Sequence, residues 1–93
     1  MLEIRQSCEN CGERLPNESN AAMICSYECT FCRQCVEHIL ENVCPNCGGG
    51  FEKRPTRPRA QLDKFPMRTD IRFKPVTFNK YLESNKYIDP RKR

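Results

Sequence analysis

Cys25-Ser26-Tyr27-Glu28-Cys29-Thr30-Phe31-Cys32-Arg33-Gln34-Cys35 places four cysteines in one short stretch, and Cys44-Pro45-Asn46-Cys47 follows it. Upstream, Cys8-Glu9-Asn10-Cys11 completes a set of eight, and no cysteine lies beyond Cys47. Eight thiolates are the full ligand set of two four-coordinate zinc ions. Cys8, Cys11, Cys25, Cys29, Cys32, Cys35, Cys44 and Cys47 are therefore the candidate metal ligands, with two zinc ions as the expected cofactor.

The rest of the chain explains why a staple is needed. Its 93 residues are 38% hydrophobic and 30% charged, with no tryptophan. A chain so short and polar buries too little apolar surface to offset the entropy of ordering it. Disulfides or metal can make up the deficit. Spacing favours metal. Cys8/Cys11, Cys29/Cys32, Cys32/Cys35 and Cys44/Cys47 are all three apart, so two sulfurs reach one ion from a single turn. Disulfide scaffolds more often link distant segments. Met1 to Gln6 has no apolar core or small-residue cleavage site of a secretory leader. No run approaches the roughly 18 apolar residues of a membrane span. The expectation is a reducing, cytoplasmic setting with no membrane association. Thioredoxin-type redox chemistry and an iron–sulfur cluster are lesser readings; the gap before Cys44 departs from the bacterial ferredoxin pattern.

Three ligand assignments are open. Sequential pairing sets Cys8, Cys11, Cys25 and Cys29 against Cys32, Cys35, Cys44 and Cys47. Cross-bracing sets Cys8, Cys11, Cys32 and Cys35 against Cys25, Cys29, Cys44 and Cys47. Nesting takes the outer four and the inner four. Cross-bracing is preferred, because alternate pairing closes a long loop at each site and converts metal binding into folding energy.

Outside the cysteines the local signals are modest. Leu2 and Ile4 alternate with polar neighbours, which predicts a strand over residues 1–7. Ala22 to Cys25 reads as a second strand, with Tyr27 and Phe31 as packing residues. Val36, Ile39, Leu40 and Val43 form one helical stripe, predicting a short helix over residues 35–43. Pro45 disfavours its continuation. His38, the single histidine, falls off the stripe. The first 49 residues carry three arginines against seven glutamates, whereas residues 50–93 carry 13 lysines and arginines against five acids. The domain reading is a two-zinc module over residues 1–52 and a basic, proline-interrupted tail over residues 53–93. The tail is expected to be partly ordered or docked on the module, with one helical segment near residues 77–87.

The order C-x2-C, loop, C-x3-C-x2-C-x2-C, helix, C-P-x-C resembles the RING-type cross-brace, including Phe31 before Cys32 and the apolar helix after Cys35. That resemblance implies a small metal-stabilised α+β fold of treble-clef type with two zinc sites. RING domains recruit a ubiquitin-conjugating enzyme at positions that read here as Glu9, the Ile39/Leu40 face, Pro45 and Gly48. Glu9 and Gly48 do not match the apolar and basic residues used there. Met1-Leu2-Glu3-Ile4-Arg5, Ile24-Cys25-Ser26-Tyr27-Glu28-Cys29-Thr30-Phe31-Cys32, Cys44-Pro45-Asn46-Cys47-Gly48-Gly49 and Arg54-Pro55-Thr56-Arg57-Pro58 together resemble a bacterial cysteine-rich family, domain-of-unknown-function family 1272. Membership implies a short cytoplasmic zinc-binding protein with no assigned activity.

No serine–histidine–acid arrangement is present, and Gly48-Gly49-Gly50 lacks the Lys-Ser/Thr of a phosphate loop. The expected function is a non-enzymatic interaction module with a protein partner and no small-molecule substrate. Nucleic-acid binding through Lys53, Arg54, Arg57 and Arg59 is the alternative. Ubiquitin-ligase-like activity in a eukaryotic host is a third.

Overall fold

Cys25 and Cys29 fall at the tip of a hairpin. Its strands are β1, Ala22–Ile24, and β2, Thr30–Cys32. In the computed structural model, which describes residues 1–93, the two pair antiparallel with Met23 opposite Phe31. The turn closes through Cys25 N–H to Cys29 O (3.2 Å) and Glu28 N–H to Cys25 O (2.9 Å), with Glu28 at φ 65°. A third strand, β3, Glu52–Lys53, pairs antiparallel with the other side of β1, giving the order β2-β1-β3. β3 thus crosses the expected junction between module and tail.

Helix α1, Arg33–His38, follows β2 without a break. It begins two residues before the expected start and ends five before the expected end. Glu41 and Asn42 adopt left-handed backbone (φ 47° and 59°), which ends the helix and turns the chain back toward β1. Val36, Leu40 and Val43 are buried as the stripe requires. Ile39, the C-cap residue, is 50% exposed, so the stripe is buried at three of its four positions. Tyr27, expected to pack, is 76% exposed at the hairpin tip.

Residues 1–7 form no regular strand, contrary to the alternation. A single antiparallel bridge joins Ser7 to Arg14. The segment's backbone groups are met by loops and side chains: Gln6 O accepts from Leu15 N–H (2.7 Å), and Ile4 O from Arg68 N–H (2.9 Å). Without a neighbouring strand in register, alternation alone makes no ladder.

The core is small. Six of the twelve residues in its main cluster are cysteines. Phe31 and Phe51 meet edge to face, with ring centres 5.4 Å apart; such a contact adds about 1 kcal/mol to area burial. A charged side chain fills much of the remaining interior. Arg54, only 1% exposed, follows β3. Its guanidinium donates to Arg5 O (2.8 Å), Leu15 O (3.2 Å) and Pro16 O (2.8 Å). It ties the N-terminal segment, the Leu15 loop and the sheet edge together. Arg54 is thus corrected from surface tail to core. One turn further on, Asn17 and Arg57 exchange main-chain and side-chain bonds of 2.8 and 3.0 Å.

The remaining chain wraps the module. It includes α2, Arg59–Leu62, α3, Leu82–Asn85, and a 3-10 turn at Pro90–Lys92. The helical segment expected over residues 77–87 is reduced to α3, and Phe78 is 80% exposed. Arg5 and Arg68 both bridge Glu3 and Asp70. The Arg68 pairs lie at the surface, where such pairs contribute little each, whereas the Arg5 side chain is buried. No helix is long and apolar enough to cross a membrane.

Replacing Arg54 by alanine strands the carbonyls of Arg5 and Leu15, whereas Pro16 O keeps its bond from Ser19 N–H (2.9 Å). Each buried polar group left unsatisfied costs about 1–3 kcal/mol. Arg54→Ala should lower unfolding stability of the metal-loaded protein by about 3 kcal/mol or more, measured by denaturant titration. Arg59→Ala, on the exposed start of α2, should change it by less than about 0.5 kcal/mol.

Candidate metal centres

The cysteine pairs are placed by three kinds of local structure. The first and fourth pairs lie in knuckles with the same bonding. In one, Cys8 N–H donates to Glu13 O (2.9 Å) and Gly12 N–H to Cys8 O (3.0 Å); in the other, Cys44 N–H donates to Gly49 O (2.8 Å) and Gly48 N–H to Cys44 O (2.8 Å). Gly12 and Gly48 take φ of 79° and 80°, a conformation glycine adopts without penalty. The second pair belongs to the β1–β2 hairpin tip. In the third, Cys32 ends β2 and caps α1, and Cys35 lies in the first turn of the helix.

These elements gather the sulfurs into two clusters of alternate pairs. Cys8, Cys11, Cys32 and Cys35 have all four Sγ atoms within 4.8 Å of one another. Cys8 to Cys35 is 3.8 Å and Cys11 to Cys32 is 3.7 Å. Sulfurs bound at about 2.3 Å around a tetrahedral ion stand about 3.8 Å apart, whereas a disulfide needs about 2.05 Å. In the second cluster Cys25, Cys44 and Cys47 lie within 4.8 Å of one another. Cys29, across the hairpin tip from Cys25, adjoins this group, and Asn46 Nδ2, from the Cys44/Cys47 knuckle, donates to its sulfur (3.4 Å). All eight thiols are free. The sulfurs are grouped as in the cross-brace, and the sequential and nested groupings are not formed.

Electrostatically, both clusters call for a cation. Thiol donors from Cys25 and Cys44 hold Cys29 far below the usual thiol range. The reciprocal contact with Cys29 pushes Cys25 up to about 11. Contacts with Cys25 and then Cys29 push Cys44 up. In the first cluster, burial raises both Cys32 and Cys35. Burial opposes ionisation of Cys8 as well, but bonds from the backbone of Cys11, Cys32 and Asn10 outweigh it and lower its pKa. Further amides point at sulfur: Tyr27 N–H at Cys25 (3.3 Å), Asn46 N–H at Cys44 (3.4 Å) and Gly49 N–H at Cys47 (3.4 Å). Such donors stabilise thiolate. Four-sulfur sites of this kind suit thiophilic, tetrahedral ions.

Two residues that complete the sites escaped the sequence reading. Asn10 Nδ2 donates to Cys35 Sγ (3.3 Å) and Asn46 Nδ2 to Cys29 Sγ (3.4 Å). In each case the asparagine of one pair supports a sulfur of the other pair in its own cluster. The signal was present as a short repeat, C-x-N-C-G, at Cys8–Gly12 and Cys44–Gly48.

The other candidates divide. Glu9 is 2% exposed, and its carboxylate accepts from Thr30 N–H (3.0 Å), which ties it to β2. Lys53 and Arg59 are exposed, but Arg57 donates to Phe65 O (2.7 Å) and Leu2 O (2.5 Å). With Arg54 buried, half of the expected basic stretch is engaged with the protein's own carbonyls. His38 is exposed at the end of α1.

Because each ion would close loops belonging to both halves of the module, Cys44→Ser should lower metal content from two equivalents to one or less, with loss of cooperative unfolding; elemental analysis and circular dichroism check it. Asn10→Ala and Asn46→Ala should keep two equivalents but weaken affinity about 10–100-fold, read by chelator competition. A methyl at Gly48 would lie 2.8 Å from Asn85 Nδ2 and 3.0 Å from Tyr81, whereas at Gly12 the nearest contact is Phe73 at 3.5 Å. Both alanine variants carry left-handed strain of about 1–2 kcal/mol; Gly48→Ala should be the more destabilised in thermal unfolding.

The family described as a protein of unknown function, DUF1272, matches residues 1–57. An uncharacterized protein of Rhizobium meliloti (strain 1021) is 49% identical over 75 residues, spanning 81% of this chain and 89% of that protein. No solved structure matches. With its family match covering more than half of its length and so extensive an identity to a relative, the chain belongs to the DUF1272 family.

Proposed function

We propose that this protein is a two-zinc, non-enzymatic interaction module that presents a rigid surface to another protein. The observation that carries the reading is the pair of four-sulfur clusters. All-cysteine tetrahedral sites leave no position for water or substrate, the arrangement of structural rather than catalytic zinc. Zinc is favoured over redox-active iron because the sites knit the fold together, and each structural zinc contributes on the order of 10–16 kcal/mol of apparent binding energy at neutral pH. That exceeds what so small a core supplies by area.

A protein partner is supported by what lies outside. Tyr27, Phe78 and Tyr87 are 76%, 80% and 87% exposed. Aromatic side chains are enriched in protein interfaces. Nucleic-acid binding is less well supported, since Arg54 and Arg57 turn inward.

Purified protein should carry two equivalents of zinc and unfold in strong chelator. Thiols must lose their protons to bind metal, and Cys25, Cys32, Cys35 and Cys44 are raised. Loading should therefore release protons, and affinity should fall as pH drops below neutrality. A metal-free sample that keeps its fold, or affinity independent of pH, would remove the basis of the reading. Crosslinking in the native cell should recover a specific protein whose binding persists in high salt; steep salt dependence would favour nucleic acid instead.

A further inference from the structure

Residues 72–78 lie as an extended strap across the gap between the two knuckles. Lys74 N–H donates to Glu9 O (2.7 Å) and Val76 N–H to Asn10 Oδ1 (2.7 Å). The two donors are two residues apart, as along one edge of a β-strand. Pro75 between them has no N–H to leave unpaired. Val76 packs against the core. Next to it lies a cavity of about 120 Å³ lined by Glu9, Phe31, Pro45, Lys74 and Val76, among others.

The strap is weakly held. Every residue from Ile71 to Phe78 except Val76 is exposed. Two hydrogen bonds and one partly buried valine make it a segment of low local stability, able to open without unfolding the module. The surface beneath it is rigid by contrast. Glu9 is bound at its backbone and its carboxylate to Thr30. The acceptor offered by Asn10 is oriented by the bond from its amide to Cys35 Sγ. One asparagine thus joins the first metal centre to the groove.

We propose that this groove is a docking site for an extended peptide of a partner protein, with an x–proline–apolar sequence, and that residues 74–78 occupy it in cis as a displaceable strap. The chemistry of the occupant follows from the strap. Backbone N–H groups two apart reach Glu9 O and Asn10 Oδ1, and an apolar side chain meets the core at the second donor. The unfilled cavity leaves room for a side chain larger than valine. This deepens the interaction-module reading and rests on it.

The test uses the full-length, metal-loaded protein and a fluorescently labelled peptide of the sequence Arg72 to Lys80, followed by anisotropy. Val76→Asp in the protein removes the apolar anchor of the strap and should open the groove. This variant should bind the peptide about tenfold more tightly than wild type, whose own strap competes. A peptide carrying the same Val→Asp change should not bind. Lys74→Pro, which deletes the N–H directed at Glu9 O, provides a second opened form should Val76→Asp lose metal. Equal affinity for wild type and opened variants, or no binding by an opened variant holding two metal equivalents, would overturn the proposal. So would a dimer built by exchange of residues 74–78, seen as concentration-dependent mass. A native partner captured equally by wild type and Val76→Asp would leave the interaction reading standing and remove the groove from it.

Discussion

Two sets of four sulfurs, each drawn from alternate pairs along the chain, are the constraint on which the rest of this structure depends. Thiolates crowded at tetrahedral spacing repel one another and tolerate burial only with a cation among them. The first pair must reach the third, and the second must reach the fourth. Each closure spans the other, so neither half of the module has its own interior. The hydrophobic contacts, Phe31 on Phe51 and the Val36–Leu40 face of α1, fill what the two centres leave.

The same constraint shapes the backbone. Glycines with left-handed φ occur just after Cys11 and Cys47, where the chain must turn so that amide groups face sulfur. The helix stops early because Cys44 has to return to the hairpin tip, and the left-handed pair Glu41-Asn42 makes that turn. Asn42 then accepts from Phe51 N–H (2.9 Å), fixing the path to β3. Asn10 and Asn46 tie each knuckle to a sulfur contributed by a different element, so the supports of the two centres are as interleaved as the ligands.

Polar groups take over where apolar ones run out. Arg54 occupies a position that a larger domain would fill with an aliphatic side chain, and its planar fork satisfies three carbonyls of two loops that have no regular secondary structure. The tail is held in a similar manner. Asn79 donates to Val43 O (2.8 Å) and Asn85 to Gly48 O (2.9 Å). Side-chain amides, one valine and the Arg93 guanidinium, rather than a second core, bring residues 72–93 onto the module. That division between a sulfur-locked centre and a lightly attached wrapping is what makes an exchangeable strap physically reasonable.

The cysteine spacing alone determined the candidate ligand residues, their division into four pairs and the preference for cross-bracing, because cysteines three or four apart can face one ion and closing long loops rewards alternate pairing. Strand β1 was legible in Ala22 to Ile24, and the helix stripe was legible as burial though not as length. Only the tertiary structure decided the rest. Arg54 in Lys53-Arg54-Pro55 looks like any other tail cation; what buries it is a set of carbonyls from residues 5, 15 and 16, far away in sequence. The exposed tip at Tyr27, the sulfur contacts of Asn10 and Asn46, and the strap across the knuckles likewise arise from groups brought together by folding, which periodicity and composition do not encode.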